Sequence, residues 1–480
     1  MFLGIDIGTS GVKAVVLDAD DVVVATHSAP LSLSYPQPLW SEQDPQDWLD
    51  ACNRAVLAIA PELRAEVQAV GLTGQMHGAV LLDAADKVLR PAILWNDGRS
   101  HADCAELERR APQSRATTGN IAMPGFTAPK LLWVAREEPE VFAATRTVLL
   151  PKDYIRLILT GDKASDMSDS AGTLWLDVGR RDWSDAMLEA TGLKRSHMPE
   201  LFEGSQPTGT LLPAIASAWG MAQVPVAAGG GDNAAGAVGV GVVNHGDALL
   251  SLGTSGVIFV ANGAFRPNPA GAVHAFCHCL PGRWHQMAVH LSAASCVDWA
   301  ARQMGLGGPA EFFALAENAE PASGPELFLP FLSGERTPHN DPHLRAGFLG
   351  CDGETTPARL SSAVLEGVAF AHADGIAALR DAGSTIDRLS MIGGGSRSLY
   401  WGRIVACALD VDLAYLDGGE VGPALGAARL ARLSFTGEDP AAVCTPPPVR
   451  EVISPDPVLT ERLHPKLARF RRAVSAIRGA

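Results

Sequence analysis

Two stretches of the 480-residue chain carry the same short phrase. "DIGTSG" at residues 6–11 and "LSLGTSG" at 250–256 each set glycine, threonine and serine in a turn after an apolar run. Glycines let backbone N–H groups approach an anion closely, and the hydroxyls of Thr9, Ser10, Thr254 and Ser255 add donors, so phosphate oxygens suit such a nest. The same turn also closes an ordinary hairpin. Its recurrence, about half the chain apart, favours the anion. Asp6 precedes the first copy where Ser251 precedes the second. A carboxylate in an apolar strand is costly unless a hydrogen bond or a cation compensates it. Mg²⁺, which takes one or two carboxylates with phosphate oxygens and water, would do so. So would N–H groups of the turn itself.

A second carboxylate is set just as pointedly. In "VPVAAGGGDNAAGAVGVG" (224–241) an apolar strand runs into three glycines, then Asp232 and Asn233, then a helix of small residues. Strand ends of this kind are where α/β folds bind ligands. Asp232 is a candidate base for a substrate hydroxyl, a role that leaves most of the charge in phosphoryl transfer to the cation and backbone donors. An aspartate N-cap would account for the residue type alone, but not for the glycines before it. "GLTGQMHGA" (71–79) puts Met76 and His77 just past another strand, and "ILWNDGRS" (93–100) adds Asn96, Asp97 and Arg99 in a loop; these groups suit the hydroxyls of a polyol. "MIGGGSRSLYWGRI" (391–404) is a further strand–glycine–helix turn, fit for a nucleoside or phosphate against backbone. There is no G-x-x-x-x-G-K-[ST] pattern. His274, Cys277, His278 and Cys279 offer soft metal ligands, but their spacing matches no usual zinc pattern.

The elements that must position these groups repeat as well. "MFLGIDI" and "VKAVVLD" flank the first turn as strands, "VVVATHS" (22–28) follows, a helix starts at the cap Asp44 and runs to about Ile59, and "VQAVGLTGQ" (67–75) is the next strand. The second copy opens strand–turn–strand over 246–261, with another strand near 272–280, helices near 293–304 and 361–383, and a buried strand ending in a glycine turn over 388–397. Two related α/β domains, 1–242 and 243–480, are therefore expected, in keeping with a length beyond that of a single core. A net charge of −15 argues against a nucleic-acid partner. No secretory signature and no uninterrupted apolar run long enough for a bilayer is visible, and the eight scattered cysteines lack a disulfide rhythm. The expectation is a reduced, soluble, cytoplasmic protein with no membrane partner. Its basic terminal stretch (462–479) reads as an ordinary solvated helix, and a homodimer is left open.

Together "DIGTSGVK", "GQMHGA", "AILWNDGR", "GFTAPKLLWVARE", "LLPKDYIRLILTG", "SDMSDSAGTLWLDV", "GGGDNAAGAVGVG", "LSLGTSGV", "FLPFLSGERTPHN" and "IGGGSRS" resemble, in order and over nearly the full length, the FGGY family of carbohydrate kinases, most closely its bacterial xylulokinase branch. The family's second characteristic pattern, near 346–366, is matched in part, since Cys351 and Arg359 replace an aliphatic and a non-basic residue. The resemblance implies two ribonuclease-H-like domains of the actin/hexokinase type with the active site in the cleft between them. It implies D-xylulose and ATP as substrates, Mg²⁺ as cofactor, and D-xylulose 5-phosphate as product. Residues 1–242 would hold sugar, Mg²⁺ and the γ-phosphate, and 243–480 the nucleotide. It makes Asp232 the catalytic base, with Asp6 and Asp232 at the metal, and places Met76, His77, Asp232 and Asn233 at the sugar. Arg99 would either join them or hold its loop. Thr9, Ser10 and Lys13 would face the transferred phosphoryl group, Gly253, Thr254 and Ser255 the other side of the phosphate chain, and Gly394 and Gly395 the adenosine end. Kinases of the family acting on ribulose, gluconate or glycerol share these motifs, and a nucleotide-switched, actin-like binding ATPase would share the fold.

Overall fold

The structure, a computed structural model, describes residues 1–417 and 422–479. The chain opens with an antiparallel meander, β1 (Phe2–Ile7), β2 (Gly11–Leu17) and β3 (Val23–Pro30). Helix α1 (Pro45–Leu57) is started by Asp44, whose carboxylate accepts from the Gln46 N–H, with Pro45 at the first helical position. The chain returns as β4 (Ala69–Gly74), parallel to β1. Helices α2 (Thr127–Glu137), α3 (Pro151–Thr160) and the short α4 (Met167–Ala171) follow, and then β5 (Pro207–Thr210) and β6 (Pro225–Gly231) complete a six-stranded sheet of order β5-β6-β4-β1-β2-β3. Helix α5 (Asp232–Gly239) leaves from the end of β6.

The second half repeats this plan. Strands β7 (Ala248–Leu252) and β8 (Gly256–Asn262) form the second glycine-turn hairpin. With β9 (His274–Cys277), β10 (Trp284–His290), β11 (Arg388–Ile392), β12 (Asp412–Leu416) and β13 (Val449–Ile453) they make a seven-stranded sheet of order β9-β10-β8-β7-β11-β12-β13. In both sheets the hairpin strands are antiparallel and the first strand then runs parallel to its other neighbour: β1 beside β4, β7 beside β11. The repeated hairpin is thus one part of a repeated sheet, with β9 added at the edge of the second.

Helix α6 (Ala294–Gln303) leads to α7 (Pro357–Asp381), which is long and apolar enough to cross a bilayer by composition; 94% of its most apolar window is buried inside the molecule. It is the central core helix of the second lobe. Helix α8 (Leu399–Leu409) follows the glycine turn after β11. Helix α9 (Gly422–Thr436) belongs to the second half by sequence but lies on the first sheet. The backbone approach is close enough to need glycine. A Cβ on Gly4 would stand 2.0 Å from the Ala424 carbonyl oxygen and one on Gly71 1.9 Å from that of Ala427, while one on Gly426 of the helix would stand 1.7 Å from the Ala235 carbonyl oxygen of the neighbouring α5. Gly4 and Gly71 are register partners, so they form one smooth strip for the helix. Arg429 of α9 adds ion pairing to Asp21 (2.5 Å) and donates to the carbonyls of Val238 and Gly239 at the end of α5. Helix α10 (Pro457–Arg478) buries Leu459, Leu463 and Phe470 in the second-lobe core, and two of its cations are paired there: Lys466 with Glu366, Arg471 with Asp374.

Replacing Gly71 by alanine forces a methyl group into the α9 backbone. We expect Gly71→Ala to destabilise the protein by at least about 1–3 kcal/mol, read from the urea midpoint. An unchanged midpoint would contradict the helix-on-sheet contact.

Candidate active site

The site is assembled at the carboxyl ends of β1, β4 and β6. Register sets Asp6 opposite Thr73, and Thr73 opposite Gly230, so Asp6 and Asp232 come to the same end of the sheet. Asp6 Oδ1 is buried and has no hydrogen-bond partner among the described residues, and neither has its register neighbour Thr73 Oγ1. Burial, and next the charge of Asp232, push the Asp6 carboxyl up to about 7, with Lys13 across the hairpin working the other way. Asp232 is the first residue of α5, not its cap: Gly231 holds the cap position. The Asp232 carboxylate accepts from the N–H (2.7 Å) and side-chain amide (2.8 Å) of Asn233, while burial raises it to about 6. Two raised carboxylates with an orphaned buried oxygen are the donor set that one hard divalent cation compensates. The residues therefore fit Mg²⁺ held with phosphate oxygens and water.

Asp232 and Asn233 line one wall of a cavity of about 280 Å³. The other walls are Leu249, Ser251 and Val257 of the second hairpin, Ile392 at the end of β11, and Gly422 and Pro423 at the head of α9. Ser251 thus occupies in the second lobe the strand position that Asp6 has in the first, and faces the cleft without a charge. Thr254 and Ser255 are exposed on their turn, which closes by a hydrogen bond from the Gly253 N–H to the Ser255 carbonyl. Gly394 borders open space: a Cβ added there would meet nothing within 4 Å among the described residues. Gly395 is different: its missing side chain makes room for Leu252 (2.7 Å) and Trp401 (2.9 Å), so this glycine serves packing.

The first turn is more committed than its sequence suggests. The Thr9 hydroxyl donates to Gln75 Oε1 (3.0 Å) and accepts from Trp95 Nε1 (3.0 Å). Its one proton is spent, which removes the hydroxyl as a phosphate donor and leaves the loop's backbone and the exposed Ser10. Gln75 and Gln43 continue the chain of hydrogen bonds to Trp48 (2.9 Å each), pinning the turn to α1.

His77 sits in the left-handed region (φ 70°) and donates from Nδ1 to the Gly172 carbonyl at 2.7 Å. Burial, then the Lys130 ammonium, lower it to about 3, so the ring is neutral and Nε2 is its acceptor. His77 lines a second, smaller cavity with Trp95, Met123, Phe126, His274 and Arg336. Met76 is buried against Gly231 and Gly172. The helix α4 ties the two halves of the site: the Gly231 N–H, next to Asp232, donates to Ser168 Oγ (3.1 Å), and Gly172 at the other end holds His77. Below it, Lys152 pairs with Asp153 (2.6 Å), Asp166 (2.8 Å) and Asp169 (3.1 Å), all fully buried. Arg156 braces β6 through the carbonyls of Ala227 and Ala228.

Of the two roles open to Arg99, the structure leaves loop-holding. Its guanidinium pairs with Glu42 (2.7 Å) and Asp97 (2.7 Å), lies 3.7 Å over the Trp40 ring and is 1% exposed. The soft-ligand cluster is likewise engaged elsewhere. Cys277 donates to the Val178 carbonyl and His278 contacts that of Val242, while His274 turns into the second cavity. Trp95, His274 and Arg336 line the second cavity and are missed as such by sequence reasoning; of the three, only His274 stands out in the chain, and there as a metal ligand.

A cavity walled by both lobes, with Asp232 on one side and the second hairpin on the other, has the layout of a phosphotransferase acting on a small polar acceptor. The chain belongs to the FGGY family of carbohydrate kinases: residues 1–239 match the family's N-terminal domain and 248–435 its C-terminal domain. It is 54% identical to xylulose kinase of Escherichia coli K12 over 98% of both chains, and 51% identical to that of Klebsiella pneumoniae over 100% of this chain and 99% of the other. A solved "xyloylose kinase" from Brucella ovis superposes with a TM-score of 0.97 at 50% identity, covering 100% and 99% of the two chains.

Arg99→Lys keeps the charge but loses the fork and the stacking. We expect it to cost about 1.5–3 kcal/mol in a denaturant titration while the KM for sugar stays within about twofold. A large rise in that KM at unchanged stability would return Arg99 to the sugar.

Proposed function

We propose that the protein transfers the γ-phosphate of ATP to the terminal 5-hydroxyl of D-xylulose, giving D-xylulose 5-phosphate. The substrate rests on identity above one half to xylulose kinases across essentially the whole chain. The mechanism rests on one observation, the raised carboxylates of Asp6 and Asp232 at the carboxyl ends of β1 and β6, of which Asp232 lines the inter-lobe cavity. In this reading residues 1–242 bind sugar and carry the base, and 243–480 hold the nucleotide.

Asp232 accepts the proton of the attacking hydroxyl, and Asn233, bonded to the same carboxylate, fixes its rotamer. His77 Nε2 accepts from another sugar hydroxyl. Ser10, Lys13 and the first turn face the transferred group, while Gly253, Thr254 and Ser255 grip the phosphate chain from the other lobe and Gly394 borders the adenosine. Asp6, with Asp232, would hold Mg²⁺, which supplies neutralisation of charge on the phosphate oxygens. Lobe closure brings donor and acceptor in line and excludes water.

Asp232→Asn keeps size and loses basicity. It should retain sugar binding and lose roughly 10²–10⁴-fold in kcat; near-normal turnover would remove Asp232 from its role. Below about pH 6 the carboxyl of the free enzyme is protonated and cannot take another proton. The sign is therefore a kcat/KM that falls as pH drops through that value, and a flat profile from about pH 5 to 8 would contradict the assignment. Mass spectrometry of the product formed from MgATP and a mixed panel of ketoses and polyols tests the substrate. Preferred phosphorylation of a sugar other than xylulose would overturn it.

A further inference from the structure

Arg336 lies in the second half of the chain, far in sequence from every residue so far placed at the sugar, yet it lines the same cavity as His77, Trp95 and Phe126. Its position is fixed by a relay that starts in the first half. The Asn120 amide nitrogen donates to the carbonyls of Thr118 (2.7 Å) and Ala275 (3.0 Å), which orients the side chain. Its Oδ1 must therefore accept, and it does so from the Ala275 N–H and from His274 Nδ1 at 3.0 Å. With the proton on Nδ1, His274 Nε2 is an acceptor, and Arg336 Nη1 donates to it at 3.3 Å. Stacking of the His274 ring on Phe276 (5.6 Å, 8°) and its edge contact with Phe126 (5.5 Å, 85°) hold the imidazole in plane. Burial, and next the Arg336 charge, keep His274 neutral, so the relay does not titrate away near neutral pH. The guanidinium uses one of its five N–H groups on His274, and its backbone N–H is taken by Glu335 Oε1 (2.7 Å).

The polarity of the cavity then follows. His77 offers an acceptor, since its Nδ1 proton goes to Gly172. The Trp95 N–H is spent on Thr9. The His274 lone pair is spent on Arg336. The remaining side-chain donor in the cavity lining is the Arg336 fork. A substrate hydroxyl can donate or accept and is served by either end of such a cavity. A ketone oxygen can accept only, so it is repelled at His77 Nε2 and matched by Arg336.

We propose that Arg336 is a specificity-determining residue that donates to the carbonyl oxygen of a 2-ketose, so that the second lobe, and not the first alone, reads the sugar. The inference rests on the sugar-kinase reading above. It carries a consequence for the reduced counterpart of the substrate: an alditol replaces the acceptor-only carbonyl by a hydroxyl, which can accept from Arg336 but can also donate to His77 Nε2, and so depends less on the arginine.

The test compares kcat/KM for D-xylulose with that for the alditols xylitol and D-arabinitol in wild type, Arg336→Met and Arg336→Lys, each first checked for an unchanged thermal transition. Wild type should favour the ketose. In Arg336→Met the ketose kcat/KM should fall roughly 10–150-fold, the worth of a hydrogen bond to a charged group, while the alditol values move less than about threefold, so that discrimination collapses. Arg336→Lys, which keeps a donor cation, should recover part of the ketose preference. Equal losses on ketose and alditol, or no loss on either, would overturn the proposal, as would a wild type that phosphorylates alditols as readily as the ketose. If Arg336→Met does not fold, the Lys variant alone decides: a selective ketose loss supports the proposal, and an even loss overturns it. Failure of the underlying reading is separately visible, as a wild type that phosphorylates none of these acceptors.

Discussion

Two carboxylates of raised proton affinity at the carboxyl ends of strands of one sheet are the constraint from which the rest of this structure follows. Register brings Asp6 at the end of β1 and Asp232 just past β6 to the same end of the sheet, with β4 between them, and burial raises the proton affinity of both. One oxygen of Asp6 meets no donor among the described residues. Such a pair would be eliminated from a site built for stability, since a hydrophobic replacement is cheaper than two desolvated carboxylates. It persists where a cation and a transferring phosphate compensate it. The surrounding design serves to hold this arrangement still: Ser168 on the Gly231 N–H, Arg156 on the carbonyls of β6, and Lys152 among three aspartates beneath.

The difference between the two glycine turns acquires meaning in this light. Their sheets repeat the same plan, so Asp6 and Ser251 are equivalent positions in duplicated frames. Ser251 lines the cavity with Asp232 without adding a second negative charge to it. The two hairpins share one plan and differ at this position, charged in the first lobe and neutral in the second. The lobes are then coupled mechanically by α9, which crosses to the first sheet over a strip of glycines, and by Arg429 at the end of α5.

Much of this is legible in the chain because it is local. A cap at Asp44, an apolar strand ending in Gly-Gly-Gly-Asp, and a repeated Gly-Thr-Ser turn each state their geometry within a short stretch of sequence. What escapes is non-local. Arg99 reads as a polar loop residue until Glu42 and the Trp40 ring, remote in sequence, enclose it. Thr9 looks like a free donor until Gln75 and Trp95 claim its hydroxyl. The small-residue run of α9 announces close packing but not against which sheet. His274 and Arg336 become site residues only through a fold that carries both to a cavity lined by the first half of the chain.

The central claim, that Asp6 and Asp232 form a proton-holding pair awaiting a divalent cation, is tested most directly by proton release. Calorimetric titration of the protein with preformed MgADP at about pH 7, repeated in buffers of different ionisation enthalpy, counts protons lost on binding. With the Asp6 carboxyl near 7 before the cation arrives, about half a proton should be released, and that release should vanish in Asp6→Asn. Binding heats that do not depend on the buffer, or an equal release from Asp6→Asn, would contradict the account.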